Sequence, residues 1–242
     1  DLLSDTGWDE AMAGCTYVIH VASPFVMAEP KDEKELITPA VDGTKRVVQA
    51  AQRAGVSRLV LTSSTFAMIA GKDSGRCDPD SWSDTDANIG AYSKSKTLAE
   101  RAAWEITGND TMELTVINPG GVFGPPLSAQ AGSSSVAMMS DMINGKMPML
   151  PDLALNMVDV RDVARLHVTA LTAPQAAGRR FIAATSEPVE FVTTAAILKQ
   201  AGYSKVSTRK APTVVLRLMS LFSREAKAML PMLGKKIILD TT

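Results

Sequence analysis

Three short apolar runs without polar alternation, each followed by a turn or polar residues, constrain the fold more than any other feature. Strands that are apolar at every position are typical of a sheet buried on both faces. Segments with helical periodicity lie between the runs, which favours βα units and a parallel sheet. The runs are residues 16–22, 58–62 and 114–117, and the helical segments are 41–54 and 91–106. We predict an α/β fold, a doubly wound parallel sheet.

The pattern loosens after residue 124. A Met-rich helix is predicted over 136–143, a strand over 180–184 and a helix over 191–201. One or two amphipathic helices are predicted in 212–233. We therefore predict a partial dinucleotide-binding domain over 1–124. A smaller, mainly substrate-binding region follows over 125–242, with a strand and helix returning to the main fold near 155–185.

Composition excludes several classes of protein. The formal net charge is −1 and no basic run occurs, which argues against a nucleic-acid partner. The only cysteines, Cys15 and Cys77, predict neither a disulfide framework nor a zinc site and favour a reducing cytoplasm. No apolar run is long enough to span a membrane, and no signal-peptide pattern opens the chain. The first residue is Asp1 rather than Met, which predicts a fragment.

Tyr92 and Lys96 form the sharpest chemical motif. In a helix these positions lie one turn apart on the same face. A neighbouring ammonium lowers the pKa of a phenol and improves proton exchange with a carbonyl or alcohol oxygen. The same spacing also arises by chance on solvated helix faces, so the motif alone is weak evidence.

Two further segments strengthen the motif. Ser63 and Ser64 follow the second strand, at the carboxyl edge where parallel sheets bind ligands. A serine hydroxyl there can donate to a substrate carbonyl oxygen, although a loop serine or helix cap is an equal alternative. Pro119, Gly120 and Gly121 follow the third strand and would admit a flat ring close to the backbone. An ordinary strand-to-loop break is the alternative there.

In this order the segments resemble the extended short-chain dehydrogenase/reductase family, also called the NAD-dependent epimerase/dehydratase superfamily. The Pro-Ala-x-x-Gly-Thr element and the segment after Lys96 are similar to its dihydroflavonol reductase and aldehyde/ketone reductase branch. The segments that carry the resemblance are residues 21–24, 39–44, 61–64, 92–105 and 156–164.

The resemblance implies a role for each matching residue. Tyr92 would be the acid/base, Lys96 would tune it and hold the nicotinamide ribose, and Ser64 would orient the carbonyl. The implied cofactor-binding residues are Asp1, Leu2, Val21, Ala22, Ser23, Ser63, Tyr92, Lys96, Pro119, Gly120, Gly121 and Val122. The implied substrate-contacting residues are Ser64, Phe66, Ala67, Ile89, Tyr92 and Pro125.

The sequence departs from the family pattern in three places, one of which is its end, where residues 236–242 stop before the usual continuation, so that truncation at both ends is expected. The glycine-rich loop that binds pyrophosphate is absent, so we expect the N-terminal part of the Rossmann-like domain to be missing. The residues that separate NADP from NAD lie in that part, so the cofactor is expected to be either, with NADP slightly favoured. Asn118 stands where many relatives carry Arg, which is expected to alter local packing.

These inferences predict an NAD(P)H-dependent carbonyl reductase that acts on a small ketone or aldehyde, without a metal, as a monomer or homodimer. A sugar-nucleotide epimerase or dehydratase is the second hypothesis. A non-catalytic nucleotide-sensing protein on the same fold is the third, although the complete set of Ser64, Tyr92 and Lys96 argues against it. We interpret His20 as a buried core residue and find no metal-binding pattern that includes His167.

Overall fold

The computed structural model describes residues 1–25, 28–108, 111–128 and 133–242. Helices and strands alternate through most of the chain. In chain order the elements are α1 (Trp8–Met12), β1 (Tyr17–His20), α2 (Lys34–Arg53), β2 (Arg58–Thr62), α3 (Phe66–Ile69), β3 (Ser74–Cys77), α4 (Ala91–Thr107), β4 (Glu113–Pro119), β5 (Gly121–Phe123), α5 (Ser134–Ile143), β6 (Ala154–Leu155), β7 (Met157–Asp159), α6 (Val160–Thr172), β8 (Arg179–Ala183), β9 (Val189–Glu190), α7 (Phe191–Gln200), α8 (Thr213–Met219), α9 (Arg224–Met229) and β10 (Lys236–Leu239). Short 3₁₀ turns occupy Pro174–Ala176 and Leu230–Met232.

The main sheet has four parallel strands in the order β1-β2-β4-β8. Ile19 is opposite Val60, Val60 is opposite Thr115, and Ile117 is opposite Phe181. All four carboxyl ends therefore meet at one edge of the sheet. The predicted parallel α/β sheet is confirmed.

Helices cover both faces of the sheet. Leu59 and Leu61 of β2 point towards α2 and α4 and join a core cluster with Val48, Ala51 and Ala103. Val60, between them, faces the opposite side and joins Ile117 and Ala170 in a cluster beneath α6. Because successive side chains of a strand alternate between faces, both faces must be apolar when helices cover both. This arrangement explains why the strands read as continuous apolar runs.

The C-terminal half builds a separate small core. Met142, Leu150, Leu153, Phe191 and Val206 are buried together there. The short strands β6 and β9 pair antiparallel beside this core, and β5 pairs parallel with β7. α6 and β8 belong to the main sheet layers, and β10 pairs with β3 in the first half of the chain. The pairing of β10 was not anticipated, and the boundary near residue 124 remains a prediction.

Helix α2 begins at Lys34, seven residues before the predicted start at 41. Pro39 therefore lies inside the helix, although proline cannot donate a helical hydrogen bond. Two features support the early turns of the helix. Asp32 Oδ1 accepts from the Lys34 backbone N–H at 2.9 Å, and the Leu36 side chain is buried. The other predicted helices and strands differ by a few residues at their ends.

His167 has a structural role. Its ring is buried between α6 and β2, with Nε2 2.6 Å from Thr62 Oγ1 and Nδ1 2.8 Å from the Val163 carbonyl oxygen. Both ring nitrogens are therefore used in holding the helix to the sheet. Across the described ranges, we find neither a helix that is long and apolar enough to cross a bilayer nor a metal-binding group of three His, Cys, Asp or Glu side chains.

Candidate active site

Ser63 and Ser64 lie at the carboxyl edge of the sheet, directly after β2. The backbone N–H of Ser63 donates to the Ile117 carbonyl at 2.8 Å, which extends the ladder between β2 and β4. The two hydroxyls then separate. Ser63 Oγ donates to Glu100 Oε2 at 2.5 Å, whereas Ser64 Oγ accepts from the Phe66 backbone N–H at 3.1 Å. The structure therefore leaves Ser64, and not Ser63, available towards Tyr92.

Helix α4 presents Tyr92 and Lys96 to this serine. Its first backbone N–H, on Ala91, donates to Glu29 Oε1 at 3.0 Å, and this side-chain contact fixes the start of the helix. The Ser64 side chain lies close enough to Tyr92 to lower the pKa of its phenol. The Lys96 ammonium lies 6.0 Å from the centroid of the Tyr92 ring. The three side chains predicted to act together are thus adjacent, while their catalytic roles remain predictions.

Burial dominates the electrostatics of this group. It raises the pKa of Tyr92, and the neighbouring Ser64 hydroxyl only partly opposes the shift. It lowers the pKa of Lys96 to about 8, while the nearby Glu100 carboxylate acts in the opposite direction. We expected Lys96 to hold the pKa of Tyr92 below its usual value. The structure shows the opposite net direction, because both groups lie out of water. Tyr92 is therefore a neutral phenol, able to donate a proton.

His20 completes the buried surroundings of Lys96. It ends β1 and is 5% exposed, as expected for a core residue. Burial, and then the charge of Lys96, lower its pKa to about 4. His20 is therefore uncharged at neutral pH and does not repel the ammonium.

Two aromatic rings flank Tyr92. Phe25 meets it edge-to-face with ring centroids 5.0 Å apart, and Phe66 does so at 6.0 Å. Phe25 is half exposed, so the Tyr92 site is bordered by an accessible apolar surface.

A cleft opens beside this group. Phe66 and Ile89, both predicted to contact substrate, line it, and so does Ser93, the residue after Tyr92. Ala67 is fully buried and Pro125 is exposed, and neither lines the cleft. The remaining wall is mostly apolar and comes from α3, β6 and the C-terminal segment. Lys72, Asn156 and Lys235 add polar groups.

Several residues predicted to contact the cofactor lie along the same edge. Val21 and Ala22 are exposed immediately after β1, and Ser23 is half-buried. Among the described residues, no hydrogen bond or carboxylate within 4.0 Å engages the Lys96 ammonium, and the side chain is 7% exposed. A free ammonium beside an open strand end fits the hydroxyls of a nicotinamide ribose.

The glycine turn and the first residues have packing roles. A Cβ at Gly120 would lie 2.1 Å from the Asn156 carbonyl oxygen, so close backbone contact requires this glycine. This is the alternative explanation weighed for the turn, and a cofactor contact by its backbone remains a prediction. Leu2 packs on Gly43 of α2, and its carbonyl accepts from Arg46 at 2.8 Å. Asp1 is exposed beside it.

Comparison with known proteins fixes the family. The sequence model described as the NAD dependent epimerase/dehydratase family matches residues 1–184. The chain belongs to this family. The predicted resemblance is therefore confirmed, and the similar proteins described next are consistent with its reductase branch.

Several curated relatives within the family are named as reductases. Cinnamoyl-CoA reductase 2 of Arabidopsis thaliana is 37% identical over 192 residues, covering 77% of this chain and 56% of that protein. An anthocyanidin reductase of Vitis vinifera is 32% identical over 207 residues, covering 78% of this chain and 61% of that protein. The chain spans about half the length of the curated relatives it matches.

Two solved structures share the fold. Yeast methylglyoxal/isovaleraldehyde reductase Gre2, complexed with NADPH, superposes with a TM-score of 0.78 at 24% identity. That match covers 98% of this chain and 72% of the yeast chain. Vestitone reductase from alfalfa gives a TM-score of 0.73 at 23% identity, covering 100% and 72% of the two chains.

One buried group beside the site was missed at the sequence level. Glu100 appeared only as part of the family motif, Asn118 only as a departure from it, and Arg180 only as a strand residue. In the structure both Asn118 and Arg180 donate to the Glu100 carboxylate. The helical spacing of Lys96 and Glu100 was the one available signal, whereas the long-range contacts have no local signature.

Proposed function

We propose that this protein reduces a ketone or aldehyde to an alcohol with NADPH. The adjacency of Ser64, Tyr92 and Lys96 at the carboxyl edge of a parallel sheet carries this proposal. The family of the chain and the reductase names of its relatives support it. We propose NADPH rather than NADH as the cofactor, because the similar yeast reductase was solved with NADPH.

The proposed chemistry assigns each polar group one task. When bound, the nicotinamide supplies the hydride that adds to the carbonyl carbon. Ser64 Oγ donates to the carbonyl oxygen and stabilises the charge that grows there. Tyr92 is a neutral phenol before the reaction and transfers its proton to that oxygen. The Lys96 ammonium binds the ribose and stabilises the phenolate that remains.

The cleft suggests the class of substrate. Its wall beside Tyr92 is mostly apolar, with Phe66 and Ile89 on one side. We therefore propose a small carbonyl compound with an apolar body rather than a sugar. In this proposal residues 1–124 are part of the dinucleotide-binding domain and residues 125–242 complete the substrate side.

Location and assembly are also proposals. Cys15 and Cys77 are both free thiols, which supports a cytoplasmic protein. A monomer or homodimer is compatible with the proposed chemistry, since all three reacting side chains come from one chain.

The test uses the full-length protein, purified and mixed with NADPH or NADH and a panel of aldehydes and ketones. We expect consumption of NADPH that depends on the carbonyl compound, with the matching alcohol as product. Tightly bound NAD in the purified protein, with interconversion of a sugar nucleotide and no NADPH consumption, would replace the proposal with the epimerase hypothesis. Cofactor binding without either reaction would favour the sensor.

A further inference from the structure

Glu100 is a completely enclosed charge. Its residue is 0% exposed, and both carboxylate oxygens accept hydrogen bonds. Oε2 accepts from Ser63 Oγ at 2.5 Å and from Asn118 Nδ2 at 2.9 Å. Oε1 accepts from Arg180 Nε at 2.6 Å and from Trp104 Nε1 at 3.3 Å. These donors come from the ends of β2 and β4, from β8 and from α4, so one carboxylate joins four elements.

Arg180 is fixed from its other side. One of its terminal nitrogens donates to the carbonyl oxygens of Pro79 and Ser81, at 2.6 and 2.7 Å, and its guanidinium lies 4.0 Å from the centroid of the Trp82 ring. A buried ion pair is often no more stabilising than well-packed apolar residues of similar volume. A gain in stability alone therefore does not explain why Glu100 is buried. The contacts of its carboxylate connect it to the adjacent site.

The first connection to the site runs through the backbone. Ser63 is tied to Glu100, and Ser64 is the next residue. The Asn118 amide that donates to Glu100 also donates to the Ser64 carbonyl oxygen at 3.1 Å. Asn118 Nδ2 must face the carboxylate, and Asn118 Oδ1 has no hydrogen-bond partner in the described parts of the chain. The Asn118 amide nitrogen thus holds Ser64 and Glu100 together, at the cost of leaving the amide oxygen without a hydrogen bond there.

The second connection is electrostatic. Tyr92, Lys96 and Glu100 are each one helical turn apart on one face of α4. Burial lowers the pKa of Lys96, and the Glu100 charge opposes that shift. Among the other ionisable groups of this part of the described chain, His20 and Tyr92 are neutral at neutral pH, whereas Arg180 of β8 is a cation that pairs with Glu100. His20 on β1 has a pKa near 4, and the Tyr92 phenol has a raised pKa. Glu100 is thus the negative charge that favours the ammonium form.

We propose that Glu100 is a positioning residue for the proposed carbonyl reduction, one that holds the Ser64 segment in place and keeps Lys96 charged. The inference rests on the proposed function for its consequence. In this role Glu100 contacts neither substrate nor cofactor and acts only through Ser63, Asn118 and Lys96.

The test is Glu100→Gln in the full-length protein, which keeps the shape of the side chain and removes its charge. We expect kcat to fall about tenfold or more, because small displacements of a reacting group are costly. Loss of the charge lowers the pKa of Lys96 further. The alkaline limb of the pH profile should therefore move to lower pH, by about one unit.

Glu113→Gln is the matched control. Glu113 pairs with the buried Arg58 at the opposite end of the same strands, so the change removes the same charge beside an equally buried arginine. We expect the control to lose some stability without a shift of the alkaline limb. A Glu100→Gln enzyme with the wild-type limb and wild-type kcat overturns the proposal.

Two further measurements cover the other outcomes. If Glu100→Gln does not fold, Ser63→Ala removes one tie to the carboxylate, and a folded variant with wild-type kcat overturns the proposal. Nitrogen NMR of the Lys96 ammonium, assigned through Lys96→Arg, follows the same pKa without any substrate. If wild-type protein reduces no carbonyl, the proposed function fails. The NMR titration then still decides whether Glu100 keeps Lys96 charged, and an unchanged titration in Glu100→Gln overturns that claim.

Discussion

The two ends of the central strands carry the same chemical pair in different surroundings. At the amino ends of β2 and β4, Arg58 is buried but its partner Glu113 is 47% exposed. Near the carboxyl ends of β2 and β4, Glu100 pairs with Arg180 of β8, and these side chains are 0% and 7% exposed. Arg58 also donates to the carbonyl oxygens of Ala170 and Ala173, both at 2.7 Å, so that pair joins the sheet to α6.

The difference indicates what each end is for. A half-exposed pair with backbone contacts is sufficient to hold a helix on a sheet, and its carboxylate remains hydrated. At the carboxyl edge, the Glu100 carboxylate is instead buried together with Lys96, Ser63 and Ser64. Buried polar groups are expensive and so are concentrated where chemistry requires them. The following predictions test that division, from the largest effect to the smallest.

Tyr92→Phe should have the largest effect. Removal of the proton donor is expected to lower kcat about 10³-fold, equivalent to about 4 kcal/mol of barrier, while NADPH binding survives. Steady-state kinetics and fluorescence titration of the full-length protein measure the two quantities. Tyr203→Phe makes the same change at an exposed position and should behave as wild type. Turnover near the wild-type rate in the Tyr92 variant would remove the mechanism.

Arg180→Met should cause the largest loss of stability. It leaves the Glu100 carboxylate buried without its cation, and we expect unfolding free energy to fall by about 3 kcal/mol. Urea unfolding measures the change. A loss below about 1 kcal/mol would mean that water reaches Glu100, contrary to the structure.

Ser64→Ala should lower kcat about 100-fold, because the growing charge on the substrate oxygen loses a donor. Stability should change little, since among the described residues Ser64 Oγ has only a local hydrogen bond with the Phe66 backbone and a position beside Tyr92. Kinetics and thermal unfolding give the two numbers. Ser204→Ala, at an exposed loop position, is the control. Equal kinetics for the two variants would contradict the assignment of Ser64.

The pH dependence should follow Lys96. A lysine is cationic below its pKa, which burial lowers to about 8. Activity that needs the ammonium is therefore retained below that pH and falls about tenfold per unit above it. In Lys96→Arg the alkaline limb should disappear, because arginine stays charged. Lys94→Arg, whose lysine pairs with Glu33 at the surface, should keep the limb. A profile that is flat from pH 7 to about 10 would contradict this role.

The smallest effect is expected at the opposite end of the sheet. Glu113→Gln should cost less than about 1 kcal/mol of stability, because its carboxylate is half exposed. Comparison of its urea midpoint with that of Arg180→Met tests the contrast between the two pairs. Equal losses would show that the two ends do not differ as described.

Local patterns were sufficient for the central sheet. The continuous apolar run of β2 predicted a strand covered on both faces, and Val60 lies against one layer while Leu59 and Leu61 lie against the other. The early start of α2 was not predictable, because its first turns depend on the burial of Leu36 and on Asp32. The pairing of β10 with β3 joins residues far apart in sequence and has no local signal.

At the site, spacing identified the face of α4 that carries Tyr92 and Lys96, and strand ends identified Ser64. Sequence reasoning gave the wrong direction for the pKa of Tyr92, because it weighed the charge of Lys96 without the burial of both side chains. Glu100, Arg180 and Asn118 meet only after β4 and β8 pair, so their contacts required the fold.

A crystal structure of the full-length protein with NADP and the alcohol product would test the central claim most directly. The account predicts that Tyr92 Oη and Ser64 Oγ both lie within about 3.2 Å of the product oxygen, with the Lys96 ammonium on the nicotinamide ribose. A product oxygen held by other residues, with Tyr92 and Ser64 turned away from it, would contradict the account.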